Sequence, residues 1–153
     1  MNRLACSLAV LILAAPAAFA ADVKETVHVV ISGGPNAGTY DASTDRGGCS
    51  AGLTGKGTWG NQFSLPKEHD PKKLNSVQLI VPDAKAAASG THTFTLIIGF
   101  GPLMKRAAEY KSVSGTVTVH DKGSTAIVTF DAMTAAGVKL KGTIDCKSVI
   151  RAQ

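Results

Sequence analysis

The sequence predicts an all-β fold, an antiparallel β-sandwich or flattened barrel of about eight strands that is closed by one disulfide. Apolar and polar residues alternate with a period of two along most segments, and the spacing of an amphipathic helix is nearly absent. Turn-forming residues recur between these segments. Cys49 and Cys146 both fall on the apolar side of alternating segments, so each sulfur is expected to point into the core.

Residues 1–20 have the organisation of a secretory signal peptide. Arg3 supplies the positive start, an apolar run follows at 4–13, and a small-x-small motif ends at Ala20. The apolar run is too short to remain as a membrane anchor. We therefore predict cleavage after Ala20, a periplasmic or secreted location, and a single domain over 21–153 without a transmembrane segment.

The two cysteines that remain after cleavage are expected to pair. Cys6 lies in the leader and precedes most of the apolar run, which is the wrong order for a lipid-modified cysteine. In an oxidising compartment a lone pair of cysteines is most simply a disulfide, although two free buried thiols are the alternative. A bond between Cys49 and Cys146 closes a loop of about a hundred residues, for which chain entropy predicts up to ~4.7 kcal/mol.

The first predicted strand, 23–31, places β-branched apolar residues on one face, with Glu25 as the exception. Further strands are predicted at 49–54, 59–65, 74–81, 91–100, 114–120, 125–132 and 138–147. The strand at 74–81 ends before Pro82, where ladder pairing stops. The last strand is the clearest, because every second residue is lysine, threonine or aspartate and is expected to face water.

Turns and loops separate these strands. The segment DKGS at 121–124 predicts a hairpin turn between two strands. Residues 31–48 are rich in Gly, Ser, Asp and Asn, which predicts a long loop with at most a short strand near Tyr40. Residues 66–73 are predicted as a charged loop, and 99–111 as a loop with one short helix after Pro102.

The chain is modestly basic. It has 16 Lys and Arg against 11 Asp and Glu, and Arg3 leaves with the leader, so the mature chain has a net charge of +4. Such a charge favours contact with anionic envelope components. The lysines are nevertheless scattered over predicted water-facing positions, which is typical of an ordinary solvated surface.

No pattern of residues indicates a catalytic, metal or cofactor site. The four histidines are isolated, and no HxH or HxxxH spacing occurs. The Asp41-x-x-x-Asp45 spacing lacks the other oxygen ligands of a calcium loop. No GxSxG sequence is present, and a disulfide leaves no activated thiol. Most aromatic residues fall at core-facing strand positions, which argues against nucleic-acid binding.

We therefore expect an exported, non-catalytic binding protein of the cell envelope that recognises a protein, a glycan or an anionic lipid headgroup. An inhibitor of an exported hydrolase is one version of this role, with the Gly-rich 32–48 segment as the inhibitory loop. The alternatives are a periplasmic metal-binding protein or small hydrolase, and a subunit that assembles by strand addition.

Three predicted loops hold the candidate binding residues. They are Asp41, Asp45 and Arg46 in the first loop, His69 and Asp70 in the second, and Phe100, Leu103, Met104, Lys105 and Arg106 in the third. The third loop combines apolar and basic residues, as a membrane-docking or partner-docking segment does. The alternative is that its apolar residues only cover an open end of the core.

Overall fold

The computed structural model describes residues 22–152. The predicted signal peptide, 1–20, lies outside the described residues. Within them the chain forms ten strands and one short helix. These are β1 Glu25–Ser32, β2 Gly38–Thr44, β3 Gly47–Ala51, β4 Trp59–Ser64, β5 Leu74–Val81, α1 Ala84–Ala87, β6 Thr95–Phe100, β7 Ala108–Asp121, β8 Ala126–Thr134, β9 Lys139–Cys146 and β10 Val149–Arg151.

All ten strands belong to one curled sheet, in the order β10-β3-β4-β5-β6-β7-β8-β9-β1-β2. Neighbouring strands are antiparallel except for the parallel pair of β10 and β3. The prediction of an all-β chain with a disulfide is confirmed. The sandwich of about eight strands is not confirmed, because the ten strands share one continuous hydrogen-bonded sheet.

Strand β7 connects the two halves of the sheet. Its first residues pair with β6, and from Ser112 onward it pairs with β8. A register shift lies between Ser112 and Ser114, and Gly115 follows with a φ of +139°. A Cβ at Gly115 would collide with the backbone of Ala132. Glycine therefore allows the close approach of β7 and β8 where the sheet curls.

The predicted strands at 59–65, 74–81, 114–120, 125–132 and 138–147 all correspond to observed strands. The prediction of a long loop over 31–48 is wrong, because β2 and the start of β3 lie there. Small polar residues obscure the alternation, yet Tyr40 and Ala42 face inward while Thr39 and Asp41 face outward. Only 33–37 and 45–46 connect the strands.

The predicted helix after Pro102 is also absent from the described residues, in which 101–107 form turns. The short helix α1 lies instead after β5. Its N-cap is Asp83, whose Oδ1 accepts a hydrogen bond from the Ala86 backbone N–H at 3.0 Å. No helix among residues 22–152 is long and apolar enough to cross a membrane.

The inner face of the curl forms the hydrophobic core. Its largest fully buried apolar side chains are Trp59, Phe63, Phe100, Leu79, Leu96, Ile98, Leu140 and Ile144. Gly142 interrupts the apolar face of β9 because the backbone carbonyl of His28 on β1 and the ring of Phe130, its partner on β8, occupy the space that a Cβ would need. The glycine and the aromatic ring thus fill one core position together.

Two side-chain links cross this core next to each other. The disulfide joins Cys49 of β3 to Cys146 of β9, with 5.9 Å between the Cα atoms. Glu25 pairs in register with Cys146, and Asn61 pairs in register with Cys49. The Asn61 Nδ2 donates a hydrogen bond to Glu25 Oε1 at 2.5 Å. The two halves of the sheet are therefore joined covalently and, beside that bond, through an acid and an amide.

Strand β10 is the edge strand beside β3, and contacts on both of its sides hold it in place. On one side β10 pairs with β3, and on the other the Val149 N–H donates to the Ser124 carbonyl at 2.9 Å. The Arg151 guanidinium pairs with Asp121 and donates from Nε to the Gly123 carbonyl at 3.0 Å. The β7–β8 turn thus holds the C-terminal strand in place.

We predict that the Cys49→Ala/Cys146→Ala variant loses about 2–5 kcal/mol of unfolding free energy, because the disulfide restricts a long loop of the unfolded chain. Urea unfolding of the oxidised wild type and of the variant measures the difference. A thiol reductant is expected to shift the wild-type midpoint toward that of the variant and to leave the variant unchanged. Equal midpoints for the oxidised wild type and the variant would contradict a stabilising disulfide.

Candidate functional site

Three loops lie at the same end of strands β3 to β7, and we call them together the loop rim. The loop rim consists of the turn 45–46 between β2 and β3, the β4–β5 loop 65–73, and the β6–β7 loop 101–107. Because neighbouring strands from β3 to β7 are antiparallel, alternate connections meet at one end of the sheet. Each loop of the rim holds residues that the sequence analysis selected.

Specific hydrogen bonds hold these loops together. The Thr44 hydroxyl donates to the Ser64 carbonyl at 2.9 Å and accepts from the Arg46 N–H at 3.0 Å. The Gly101 N–H donates to the Lys73 carbonyl at 3.1 Å. A Cβ at Gly101, whose φ is +79°, would lie 3.3 Å from the Cα of Pro71. Loops that are distant in sequence are therefore in direct contact.

The acidic residues of the β4–β5 loop bind their own backbone. Glu68 Oε1 accepts hydrogen bonds from the backbone N–H groups of His69 at 3.0 Å and Asp70 at 2.9 Å. Asp70 Oδ1 in turn accepts from the Lys72 N–H at 2.9 Å. These carboxylates fix the shape of the loop.

The balance of charge in the loop rim is basic. It contains six Lys and Arg residues against three Asp and Glu residues. Within the described residues, two of these six cations form ion pairs: Lys73 pairs with Glu68, and Arg106 pairs with Glu109. The four other cations of the rim are exposed and form no ion pair within the described chain; they are Arg46, Lys67, Lys72 and Lys105.

The tip of the β6–β7 loop is apolar and exposed. Met104 is 96% exposed and Leu103 is 36% exposed. Lys105 follows directly and is exposed as well. An almost fully exposed methionine is uncommon for an apolar side chain, and here it precedes an exposed lysine.

Phe100 lies at the end of β6 and belongs to the core, where it is fully buried. Its ring packs edge-on against Tyr40, with 4.9 Å between centroids, and against Tyr110 at 5.9 Å. Phe100 therefore supports the loop from below and is not part of its exposed surface.

Arg106 is also largely structural. Its side chain lies across Gly99, where an added Cβ would be 3.0 Å from Arg106 Nε and 2.6 Å from Ser76 Oγ. Its guanidinium pairs with Glu109 on β7. The missing side chain at Gly99 thus makes room for the arginine to cover Ser76.

Asp41 does not lie in the loop rim. It is on the outer face of β2, where Oδ1 lies 2.7 Å from Nδ1 of His28 on β1. Both side chains are exposed. Asp45 and Arg46, by contrast, form the turn that enters the rim, so the first predicted set of residues is divided between two surfaces.

A cleft of about 480 Å³ opens between the end of β2 and the β4–β5 loop. Arg46 and Lys67 supply cations at its wall, and Val23 and Leu65 supply apolar surface. Asp45 and Glu68 also line it. The cleft links the first two loops of the rim and offers both charged and apolar contacts to a ligand.

In the described part of the chain, no group of three or more His, Cys, Asp or Glu side chains is arranged to hold a metal ion. His69 lies in the loop rim. His92 lies in the β5–β6 connection, at the other end of the strands, and its Nδ1 is 2.6 Å from the Gly115 carbonyl oxygen.

Sequence reasoning missed the contact between Glu25 and Asn61. Glu25 is fully buried on the inner face of β1, and burial raises its pKa to about 7, although the hydrogen bond from Asn61 lowers it. The available signal was the break in alternation at Glu25. An acid on an apolar face requires a partner, but the alternation cannot identify that partner.

Comparison with known proteins finds no relative: no family model matches the chain, and neither the curated proteins nor the solved structures provide a match. The function must therefore be inferred from the geometry of the chain. The loop rim is a surface on which cations, exposed apolar groups and a cleft occur together.

We predict that Arg106→Ala lowers the free energy of unfolding by about 1–2 kcal/mol, because it removes the cover over Ser76 and the partner of Glu109. Lys105→Ala is the matched control, and its effect is expected to stay within ~0.5 kcal/mol because that side chain is exposed. Urea unfolding measures both. Equal losses for the two variants would contradict the structural role of Arg106.

Proposed function

We propose that this protein is an exported, non-catalytic binding protein whose loop rim docks on an anionic lipid surface of the cell envelope. The observation that carries the proposal is that four exposed cations, which form no ion pair within the described chain, and the exposed apolar tip of the β6–β7 loop belong to loops at the same end of the sheet. Three separate connections supply these cations, on a rigid sheet that holds them at one end.

Electrostatics favours an anionic surface as the partner. A cation close to an anionic membrane contributes about 1 kcal/mol, and the contribution decreases within a Debye length. Because the acids of the β4–β5 loop accept hydrogen bonds from their own backbone, they are already engaged within the loop. The rim therefore presents cations outward, while two of its three carboxylates, those of Glu68 and Asp70, maintain the shape of the β4–β5 loop.

The apolar tip favours lipid over glycan. Met104 and Leu103 are exposed at the same end of the sheet as the cations, and apolar side chains beside cations are typical of segments that enter the headgroup region. Glycan binding would be favoured by exposed aromatic rings, and the loop rim contains no Phe, Tyr or Trp. The proposed contact is peripheral and reversible, because it involves one short apolar tip and a few charges.

The disulfide is consistent with an oxidising, exported location. Export after removal of residues 1–20 remains part of the proposal. Export would place the loop rim in the periplasm or the medium, where it can meet the anionic headgroups of a membrane surface.

The hydrolase-inhibitor version has less support, because the Gly-rich 32–48 segment is mostly strand. Its remaining loop is attached to the body of the protein through Asn36. The Tyr110 hydroxyl donates to Asn36 Oδ1 at 3.0 Å, and the Tyr40 hydroxyl donates to the Asn36 carbonyl at 2.9 Å. The connection that remains between the strands, 33–37, is short, whereas the inhibitor hypothesis relied on a long loop over 32–48.

We predict that Lys67→Gln/Lys72→Gln/Lys105→Gln weakens binding to vesicles of phosphatidylcholine and phosphatidylglycerol by ~100-fold, because three cations leave the interface. The measurement is co-sedimentation with vesicles at low salt. The matched control is Lys56→Gln/Lys85→Gln/Lys122→Gln, which removes equal charge from exposed lysines at the other end of the strands. The vesicle affinity of this control is expected to fall by less than ~10-fold. Equal losses would contradict the loop rim as the site, and absence of wild-type binding would contradict the function.

A second test follows the tip of the β6–β7 loop directly. We expect the emission of a Met104→Trp variant to shift to the blue when anionic vesicles are added, because the new indole leaves water. Trp59 is fully buried, so its emission provides a constant background. Vesicles of phosphatidylcholine alone are the control. Emission that stays typical of a hydrated indole with bound vesicles would contradict insertion of the tip.

A further inference from the structure

The core contains one ionisable side chain that is fully buried. Among the buried residues of the described chain, Glu25 is the only Asp, Glu, Lys, Arg or His. It lies on the inner face of β1, between Thr44 of β2 and Cys146 of β9. Across the core it meets Asn61 of β4. A carboxylate in such a position loses its hydration and requires compensation.

The hydrogen bonds of this pair are incomplete if Glu25 is ionised. Asn61 Nδ2 donates to Glu25 Oε1 at 2.5 Å and to the Val77 carbonyl at 3.2 Å. Glu25 Oε2 and Asn61 Oδ1 are both buried and have no hydrogen-bond partner. An ionised carboxylate has no proton to donate, so both oxygens would remain acceptors without a donor. A proton on Oε2 supplies the missing donor.

No cation compensates the carboxylate from the surrounding strands. Strands β3, β4 and β5 contain no ionisable residue other than the disulfide-bonded Cys49. On and beside β1, β2 and β9, the charged residues nearest in sequence to Glu25, Thr44 and Cys146 are not buried in the core. They are Lys24, Asp45, Arg46, Asp145 and Lys147. The last two pair with each other.

We propose that Glu25 carries a proton in the folded protein at mildly acidic pH and forms with Asn61 an acid–amide pair of two hydrogen bonds, a pH-sensitive link beside the disulfide. In the first bond Asn61 Nδ2 donates to Glu25 Oε1, and in the second Glu25 Oε2 donates to Asn61 Oδ1. Ionisation removes the second bond and leaves a charge in the core. The first bond, from Asn61 Nδ2 to Glu25 Oε1, is then the only side-chain hydrogen bond to the buried charge among the described residues.

The direction of the pH dependence follows from burial. Burial raises the pKa of Glu25 from its ordinary value of 4.5 to about 7. Between these values the folded protein keeps the proton and the unfolded chain releases it. The stabilising contribution is therefore complete below pH 4.5 and is lost as the pH rises through about 7.

The test is Glu25→Gln, because the glutamine amide donates to Asn61 Oδ1 at every pH. Urea unfolding of wild type and variant from pH 4.5 to pH 8 gives the ratio of their folding equilibrium constants. We expect this ratio to shift in favour of the variant by ~100-fold across that range, since one proton is linked to folding. Asp45→Asn, at an exposed carboxylate, is the matched control and is expected to show no such shift.

A ratio that does not change with pH, or a Glu25→Gln variant less stable than wild type at pH 8, would overturn the proposal. If the variant does not fold, infrared spectroscopy of the folded wild type measures the protonation of the buried carboxyl group directly. A protonated carboxylic-acid C=O band is expected at pH 6 and is expected to disappear by pH 9. Absence of that band at pH 6 would also overturn the proposal.

Discussion

The structure depends on the closure of one long sheet onto itself. A ten-stranded sheet has a core only if its two halves face each other, and two adjacent links cross that space. The disulfide restricts the unfolded chain, while the contact of Glu25 with Asn61 places polar atoms in an otherwise apolar interior. Because these four residues are neighbours in register, the position of β3 against β9 also fixes β4 against β1.

The loop rim is a consequence of this closure. Strands β3 to β7 lie side by side, so their alternate connections are forced to one end. The turn 45–46 joins the rim only because β2, at one end of the sheet order, leads directly to β3 near the other. The internal hydrogen bonds of Glu68 and Asp70 then define the loop shape. Cations that take no part in these contacts are available to a partner.

Much of the strand pattern could be predicted from the sequence, because a one-sided sheet requires alternation. The strand pattern in the sequence identified β5 and β9 and placed both cysteines inward. Strand β2 was expected only as a short strand near Tyr40 within a long loop, because small polar residues carry little hydrophobic contrast on either face. The packing of Arg106 over Gly99 could not be predicted, since it depends on pairing between β5, β6 and β7. The same limit applies to the partner of Glu25, which lies on a distant strand.

The coupling of the two links is tested most directly by the loss of unfolding free energy that Asn61→Ala causes. Urea unfolding at pH 6 measures this cost in two backgrounds. One is the wild type, and the other is Cys49→Ala/Cys146→Ala. With the disulfide intact, the variant leaves Glu25 buried without its partner. Without the disulfide, the strands can separate locally and hydrate Glu25, so the cost is predicted to be lower by at least ~0.5 kcal/mol. Equal costs in the two backgrounds would show that the two links act independently and would contradict the account.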